Sequence, residues 1–408
     1  MALFFYNVII VLLSPFILIY STARSFSQKD KSFLLERLGF TSNSLSNKAC
    51  IHCASLGEVN GAKQLINSMK KKYDICISVN TKSGKDRAKS LFPELEVVYL
   101  PLDYKIIIRN WLNKNIIKSL LIFETEIWPN LLNECKKRNI STAIINARIS
   151  KKNLEKKFLI SIYKKSLKAC SYILCKSNYE LRKYKKLGLS NNIKCIGNLK
   201  YESIDRLDKN NLPNIENYIL FASTHSPEET DLLGIISSSL ENNINVVIAP
   251  RHVNRSRNIN KLMIKNKISS ILYSQLDFKS LNEPTVIIID TFGELIKFYK
   301  KAIFVFVGGS FSSRGVQNII EPAYYSRPVL VGPNIDNFYE EAEELSKNGG
   351  LIKFSKIEDI NLFFEKFINK DIDLDQIGQN AGRLIIGKSG ITNLYVDFLY
   401  KEGILTKN

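Results

Sequence analysis

Short apolar runs alternate with helix-length polar stretches along most of the chain. In the first half the runs fall at 49–54, 74–79, 96–100, 119–123, 141–145 and 171–175, and amphipathic segments such as 59–72, 83–91 and 129–138 lie between them. Runs of this length are strand-like, and strands that alternate with helices build a parallel sheet covered on both faces. A polar, Pro-containing stretch at 205–214 interrupts the pattern, which restarts with runs at 218–222, 244–249, 269–273, 285–289, 302–307 and 328–331. The pattern predicts an α/β protein of two doubly wound, Rossmann-like domains of similar size, with ligands held at the strand C-terminal ends. We place the domains at 23–206 and 215–385 around a linker at 207–214, and read 386–408 as a C-terminal helix returning toward the N-terminal domain.

Ahead of this pattern, Leu3 to Tyr20 carry no charge and are interrupted only by Asn7, Ser14 and Pro15. Their length is close to the roughly 20 residues with which a helix crosses a bilayer. A cleaved secretory signal has a basic start and a shorter apolar core, and neither is present. The charges Arg24, Lys29, Lys31 and Arg37 come afterwards, which by the positive-inside rule keeps the bulk of the chain in the cytoplasm. Residues 1–22 are therefore expected to be a membrane-anchor helix, spanning or dipping; the alternative is a buried core helix.

Of 408 residues, 45% are hydrophobic and 24% charged, a globular composition that excludes a disordered tail and a multi-span membrane protein. The net charge of +19 is unevenly spread: residues 1–206 hold 36 basic and 15 acidic side chains, and 207–408 hold 22 and 24. A merely Lys-rich composition predicts a uniform excess, so the basic half points to an anionic partner: nucleic acid, a membrane surface or a phosphorylated substrate. The seven cysteines are odd in number and scattered, as in a reducing compartment. Cys50 and Cys53 form a C-x-x-C, but inside a strand residues three apart face opposite ways, and the chain has only three histidines, so no metal site is expected.

The chemistry of a doubly wound sheet sits where strands end and helices begin. Ser55-x-x-Glu58, Ser226-x-x-Glu229 and Thr291-x-x-Glu294 all have capping-box spacing, the second with Pro227 in the favoured first helical position. Spacing alone makes all three caps. A carboxylate at such a mouth also suits a general base, and Gly57 beside Glu58 lets a substrate approach the backbone. Glu124 and Glu126 follow another run and share a face if the strand continues, where paired like charges favour a cationic partner or a raised pKa. Trp128, before Pro129, reads as packing. In the second half Pro250-Arg251-His252 follows one run and a glycine-rich loop, 308–316, follows another. Its glycines bare backbone N–H groups and Arg314 adds charge, both suited to a phosphate, although the loop is neither a Walker loop nor a G-x-G-x-x-G.

Together these loops resemble one family. His-Cys-Ala-Ser-Leu-Gly-Glu-Val (52–59), Glu-Thr-Glu-Ile-Trp-Pro-Asn (124–130), Ile-Asn-Ala-Arg-Ile-Ser (145–150) and Gly-Asn-Leu-Lys-Tyr-Glu (197–202) lie in the first half. Ala-Ser-Thr-His-Ser-Pro-Glu-Glu (222–229), Pro-Arg-His (250–252), Asp-Thr-Phe-Gly-Glu-Leu (290–295), Val-Gly-Gly-Ser (307–310) and Asn-Ile-Ile-Glu-Pro-Ala (318–323) lie in the second. Their order and spacing resemble those of the Kdo transferases, which move 3-deoxy-D-manno-octulosonate (Kdo) from CMP-Kdo to a lipid A precursor. The resemblance runs from about residue 30 to 400 and includes the N-terminal anchor. It implies the GT-B glycosyltransferase fold, with two doubly wound domains facing a central cleft, the acceptor on the N-terminal domain and the nucleotide on the C-terminal one. It also implies an inverting reaction without metal or cofactor, CMP-Kdo being the donor substrate.

By the same resemblance Glu58 is the general base, and Glu124 and Lys200 stabilise the transition state. Pro250, Arg251, the turn Phe292-Gly293-Glu294, and Asn318, Ile319, Ile320 and Glu321 hold the nucleotide, with Arg251 suited to phosphate and Glu321 to ribose hydroxyls. Many relatives carry Gly-His-Asn-Pro-Leu-Glu where this chain has Val316 to Glu321, so Gln317 replaces a histidine. The implied partners are CMP-Kdo, a lipid A precursor (lipid IVA) and the cytoplasmic face of a bacterial inner membrane. The alternative is another GT-B nucleotide-sugar transferase acting on a membrane lipid or peptidoglycan precursor. Nucleic acid is disfavoured, because the basic half has no zinc-finger or RNP-type signature and follows an anchor.

Overall fold

The apolar runs do form strands. The computed structural model describes residues 2–41, 45–149, 157–190, 192–204, 215–276 and 283–406, so the expected linker at 207–214 lies outside the described residues. The chain divides into two units, Met1–Ser203 with Gly390–Asn408, and Ile204–Ser389.

In the first unit β1 (Ala49–His52), β2 (Ile75–Val79), β3 (Val97–Tyr99), β4 (Ser119–Phe123), β5 (Ser141–Ala147), β6 (Tyr172–Cys175) and β7 (Ile193–Cys195) form one sheet, in the order β3-β2-β1-β4-β5-β6-β7. Every pairing is parallel. The second unit repeats the plan with β8 (Tyr218–Thr224), β9 (Asn245–Pro250), β10 (Ser270–Leu272), β11 (Val286–Ile288), β12 (Val305–Val307), β13 (Val329–Val331) and β14 (Leu351–Lys353), ordered β10-β11-β9-β8-β12-β13-β14. In each sheet the strand order reverses beside the first strand, between β1 and β4 and between β8 and β12, which is where a doubly wound sheet opens its ligand crevice. The sequence pattern misses β7 and β14. Both lie at a sheet edge and each carries an outward lysine, Lys194 and Lys353, so neither shows the continuous apolar run of a central strand.

The cores are apolar and tightly filled, around Trp111, Leu120 and Tyr184 in the first unit and Phe221, Phe304 and Phe306 in the second. The final helix, Ile391–Lys401, packs in the first unit against the helix Leu56–Met69 that follows β1.

The apolar N-terminus is not one helix. It forms Ala2–Leu12 and Ser14–Ser27, bent by 59°. Pro15 has no N–H to donate to the Val11 carbonyl, and the Ser14 hydroxyl, 2.6 Å away, takes its place. Among the described residues no single helix is long and apolar enough to cross a membrane. The first helix is fastened to the unit by polar contacts: Tyr6 Oη donates to Asp103 (2.9 Å), Asn130 Nδ2 to Asn7 Oδ1 (2.8 Å) and Tyr104 Oη to the Ile10 carbonyl (3.0 Å). Phe4, Leu12, Phe16 and Ile19 stay 68–71% exposed, which rules out the core-helix alternative for that face.

Candidate active site

Glu58 stands in the first turn of the helix after β1. Ser55 has extended N-cap geometry but its hydroxyl caps nothing; instead Glu58 Oε2 accepts from the Ala54 N–H at 2.7 Å. The carboxylate half of the expected capping box therefore forms, one residue upstream, and the serine half does not. Burial pushes the Glu58 carboxyl up to about 8; Glu124 and Glu126 add to the rise, while the Ala54 N–H and Lys200 oppose it. Gly57, next in chain, is exposed, and Glu58 itself is half-buried.

Glu124 and Glu126 do not share a face. β4 stops at Phe123, and Glu124 turns the chain with φ 61°, a left-handed backbone that a non-glycine residue adopts only under constraint. The constraint is ionic. Glu124 is 2% exposed, with Oε1 2.6 Å from Lys200 Nζ and Oε2 2.8 Å from Arg148 Nε. Burial alone raises this carboxyl, but Lys200, Arg148 and Lys176 outweigh it and hold it at about 2. Glu126 goes the other way, raised by burial against the pull of Arg37. The expected shared face is thus corrected, and each of the two expected consequences falls to one residue: Glu124 takes the cationic partners and Glu126 the raised pKa.

Lys200 is brought there by a short turn. Asn146, at the end of β5, accepts from the Leu199 N–H (3.0 Å), and Asn198 accepts from the Lys200 N–H (3.0 Å). Gly61, one helical turn after Glu58, leaves room for the approach: a Cβ there meets the Phe123 ring at 3.1 Å and Lys200 Cε at 3.6 Å.

Beside this cluster His52 is fully buried, bonded through Nδ1 to the Ser78 hydroxyl at 3.0 Å. Burial and then Arg37 lower its pKa to about 3, so it is neutral. All seven cysteines are free, and no group of three or more His, Cys, Asp or Glu capable of holding a metal occurs among the described residues.

In the second unit the loop after β8 carries Glu228 and Glu229, and neither forms the expected box with Ser226. Pro227 precedes the helix Glu228–Asp231 rather than starting it. Glu228, 1% exposed, accepts from the N–H groups of His225 (2.9 Å), Gly309 (2.9 Å) and Phe311 (3.3 Å). Two N–H groups of the glycine-rich loop are thus occupied by the protein's own carboxylate instead of bared for phosphate. Gly308 is indispensable to this packing, since a Cβ there lies 2.6 Å from the Ser223 carbonyl. Glu229 pairs with both terminal nitrogens of Arg255, at 2.9 and 2.7 Å. The third expected box also fails: Glu294 binds Lys297 at 2.7 Å.

The remaining nucleotide candidates lie in these loops. Pro250 ends β9, and exposed Arg251 is held through its N–H to the Thr224 carbonyl (3.0 Å). Phe292 is 72% exposed beside Gly293, whose φ is 87°. Asn318 accepts from the Ile320 N–H (3.0 Å), and Glu321 lies near the Tyr299 hydroxyl, whose pKa it helps burial to raise. Ile319 and Ile320 have fully buried side chains, so only their backbones can meet a ligand. Gln317 Nε2 donates to the Gly315 carbonyl at 3.2 Å.

The family described as 3-deoxy-D-manno-octulosonic-acid transferase (kdotransferase) matches residues 33–203. A 3-deoxy-D-manno-octulosonic acid transferase of Rickettsia felis is 31% identical over 373 residues, covering 86% of this chain and 78% of that protein. The chain belongs to the Kdo transferase family. It is 30% identical over 338 residues to a bifunctional glycosyltransferase/methyltransferase of Fusobacterium nucleatum, and covers only 52% of that relative's length. Its fold is shared with Acinetobacter baumannii MurG (TM-score 0.54, 11% identity, 87% of this chain and 99% of that one). It is shared too with Neisseria meningitidis UDP-GlcNAc 2-epimerase (TM-score 0.60, 14% identity, 87% and 100%). The two doubly wound units are those of a GT-B glycosyltransferase, as the Kdo transferase resemblance implied. Spacing gives Asn146 and Arg148 no role, although the 145–150 motif in which both stand marks them.

Proposed function

We propose that this Kdo transferase moves Kdo from CMP-Kdo to a sugar hydroxyl of a lipid A precursor, lipid IVA, with inversion and with side chains alone as catalysts. The observation that carries the reading is a carboxyl held near 8 at Glu58 beside a carboxylate held near 2 at Glu124. Two acids of one site pushed apart in this way have separate tasks. Glu58, with a pKa near the working pH, takes the proton of the acceptor hydroxyl as its oxygen attacks the anomeric carbon of Kdo. The bond from that carbon to the CMP phosphate breaks, and CMP leaves with the electron pair. Lys200 and Arg148, fixed by Glu124, supply preorganised positive charge for the departing phosphate or the donor carboxylate. In the second unit Arg251 suits the phosphate, Glu321 the ribose, and the Phe292-Gly293-Glu294 turn, Pro250, Asn318 and the backbone of Ile319 and Ile320 the rest of the nucleotide.

The protein would work at the cytoplasmic face of the inner membrane. The bent N-terminal pair dips rather than spans in this reading, because Tyr6, Asn7 and Ile10 are bonded to Asp103, Asn130 and Tyr104 of the globular unit. The apolar face and the basic first half suit an anionic lipid surface.

The test is mass spectrometry of the products formed by purified protein from CMP-Kdo and tetra-acylated lipid A precursor. Addition of Kdo that disappears in Glu58→Ala, with CMP binding kept, supports the reading; transfer retained by Glu58→Ala sinks it. Stabilisation by UDP but not CMP in a thermal-shift assay would favour a different GT-B nucleotide-sugar transferase.

A further inference from the structure

Lys200 is held from behind by a part of the chain nearly 200 residues away. The chain leaves the first unit after Ser203 and returns at Gly390. At the return, the Glu202 carboxylate accepts from the N–H groups of Gly390, Ile391 (2.9 Å) and Thr392 (2.8 Å), capping the final helix Ile391–Lys401. One turn further on, the fully buried Tyr395 hydroxyl donates to the Gly197 carbonyl (3.0 Å) and accepts from the Asn146 N–H (3.2 Å). Gly197 has φ 132°, and a Cβ there would meet the Ile391 side chain at 3.2 Å. The segment 197–202 is thus fixed at its first residue by Tyr395 and at its last by Glu202, with Asn146 holding Leu199 between them. Lys200 is the residue this clamped segment turns toward Glu124.

We propose that Tyr395 and Glu202 are positioning residues for Lys200: the final helix is the floor that fixes the 197–202 turn and so sets the distance from the Lys200 ammonium to the Glu124 carboxylate. The chemical reason is economy of partners. A buried tyrosine hydroxyl must be hydrogen-bonded, and the two shorter bonds of this one go to the end of β5 and to the segment after β7, which lead to Arg148 and Lys200, with a longer contact to the Leu174 carbonyl at 3.4 Å. Neither residue needs to touch substrate. The kinetic consequence rests on the transferase reading above, whereas the geometric one does not.

The experiment uses the full chain with Tyr395→Phe, Glu202→Gln, Lys200→Ala and the two doubles. Misplacing a catalytic group by about 1 Å costs up to about 100-fold in rate, so each single variant at 395 or 202 should lower kcat by about 10- to 100-fold. In the Lys200→Ala background the same substitutions should change kcat by less than about twofold, because groups acting through one another are not additive. An equal fall in both backgrounds means a general structural role and overturns the proposal. The second arm needs no turnover. The rate at which an amine-directed acylating reagent modifies Lys200, followed by peptide mass spectrometry, should rise several-fold in Tyr395→Phe and Glu202→Gln. An unchanged labelling rate also overturns the proposal. Failure of the unsubstituted chain to use CMP-Kdo counts against the transferase reading alone. Two variants at opposite ends of the segment keep the test intact if one of them fails to fold.

Discussion

Glu124 and Lys200 meet with Oε1 2.6 Å from Nζ, the carboxylate side chain 3% exposed and the lysine 24%. The pair joins the end of β4 to the turn after β7, and it explains a left-handed glutamate at the end of a buried strand: the geometry aims the carboxylate between two cations, Lys200 and Arg148.

Lys200→Met should therefore destabilise the chain by about 1–3 kcal/mol at pH 7, because a buried carboxylate loses one partner while Arg148 stays. The Glu124 carboxyl lies below its ordinary value of 4.5, at about 2. Its stabilisation is complete above about 4.5 and is lost as pH falls toward about 2. The gap between Lys200→Met and the unsubstituted chain should accordingly narrow on acidification through that window. Urea unfolding at pH 7, 5 and 3 reads this; a gap constant with pH contradicts it.

Glu58 gives the opposite sign. Its carboxyl rises from 4.5 to about 8, so the folded chain loses stability as pH climbs through that range, and Glu58→Gln should become the more stable protein above pH 8. In its proposed role as base Glu58 acts when deprotonated: the transfer rate should rise with pH, reach half its plateau near 8 and level off above that, and Glu58→Gln should lower it at least about 100-fold. A pH–rate profile that levels off below pH 6 speaks against this assignment.

In the second unit, Glu228→Ala leaves three buried N–H groups without their acceptor, a loss of about 2–4 kcal/mol, together with weaker CMP binding as the 308–311 loop relaxes. Glu228→Gln keeps one acceptor oxygen and should retain more of both. Isothermal titration with CMP alongside thermal unfolding makes the comparison; equal behaviour of the two variants removes the role given to the carboxylate.

Leu12 and Phe16 are both 71% exposed on the N-terminal pair. Leu12→Glu with Phe16→Glu should leave the melting temperature unchanged and reduce partition to anionic vesicles at least about tenfold, since each buried apolar side chain contributes about 1.5–3 kcal/mol. Vesicle flotation measures it. Undiminished flotation would assign membrane binding elsewhere.

Much of this architecture was legible from periodicity. Central strands buried on both faces announce themselves as continuous apolar runs, and the repeat of that signal, with the step in charge, indicated two units. Edge strands β7 and β14 did not, because a strand with one wet edge admits lysine. Capping-box spacing misleads for a related reason: S/T-x-x-E records only that a carboxylate is near a helix start, and at Glu229 and Glu294 a cation competes for it with the backbone.

The order of nine loop motifs, the basic first half and the positions of Glu58, Glu124 and Lys200 were set down in the sequence alone. What each carboxylate does was not. Glu124 and Glu126 are two residues apart and chemically alike, yet burial among cations lowers one while burial alone raises the other. The cations responsible, Lys200, Arg148 and Lys176, arrive from the segments that follow β7, β5 and β6. Protonation depends on desolvation and on charges within a few ångströms, and those are properties of the folded neighbourhood that no linear spacing contains.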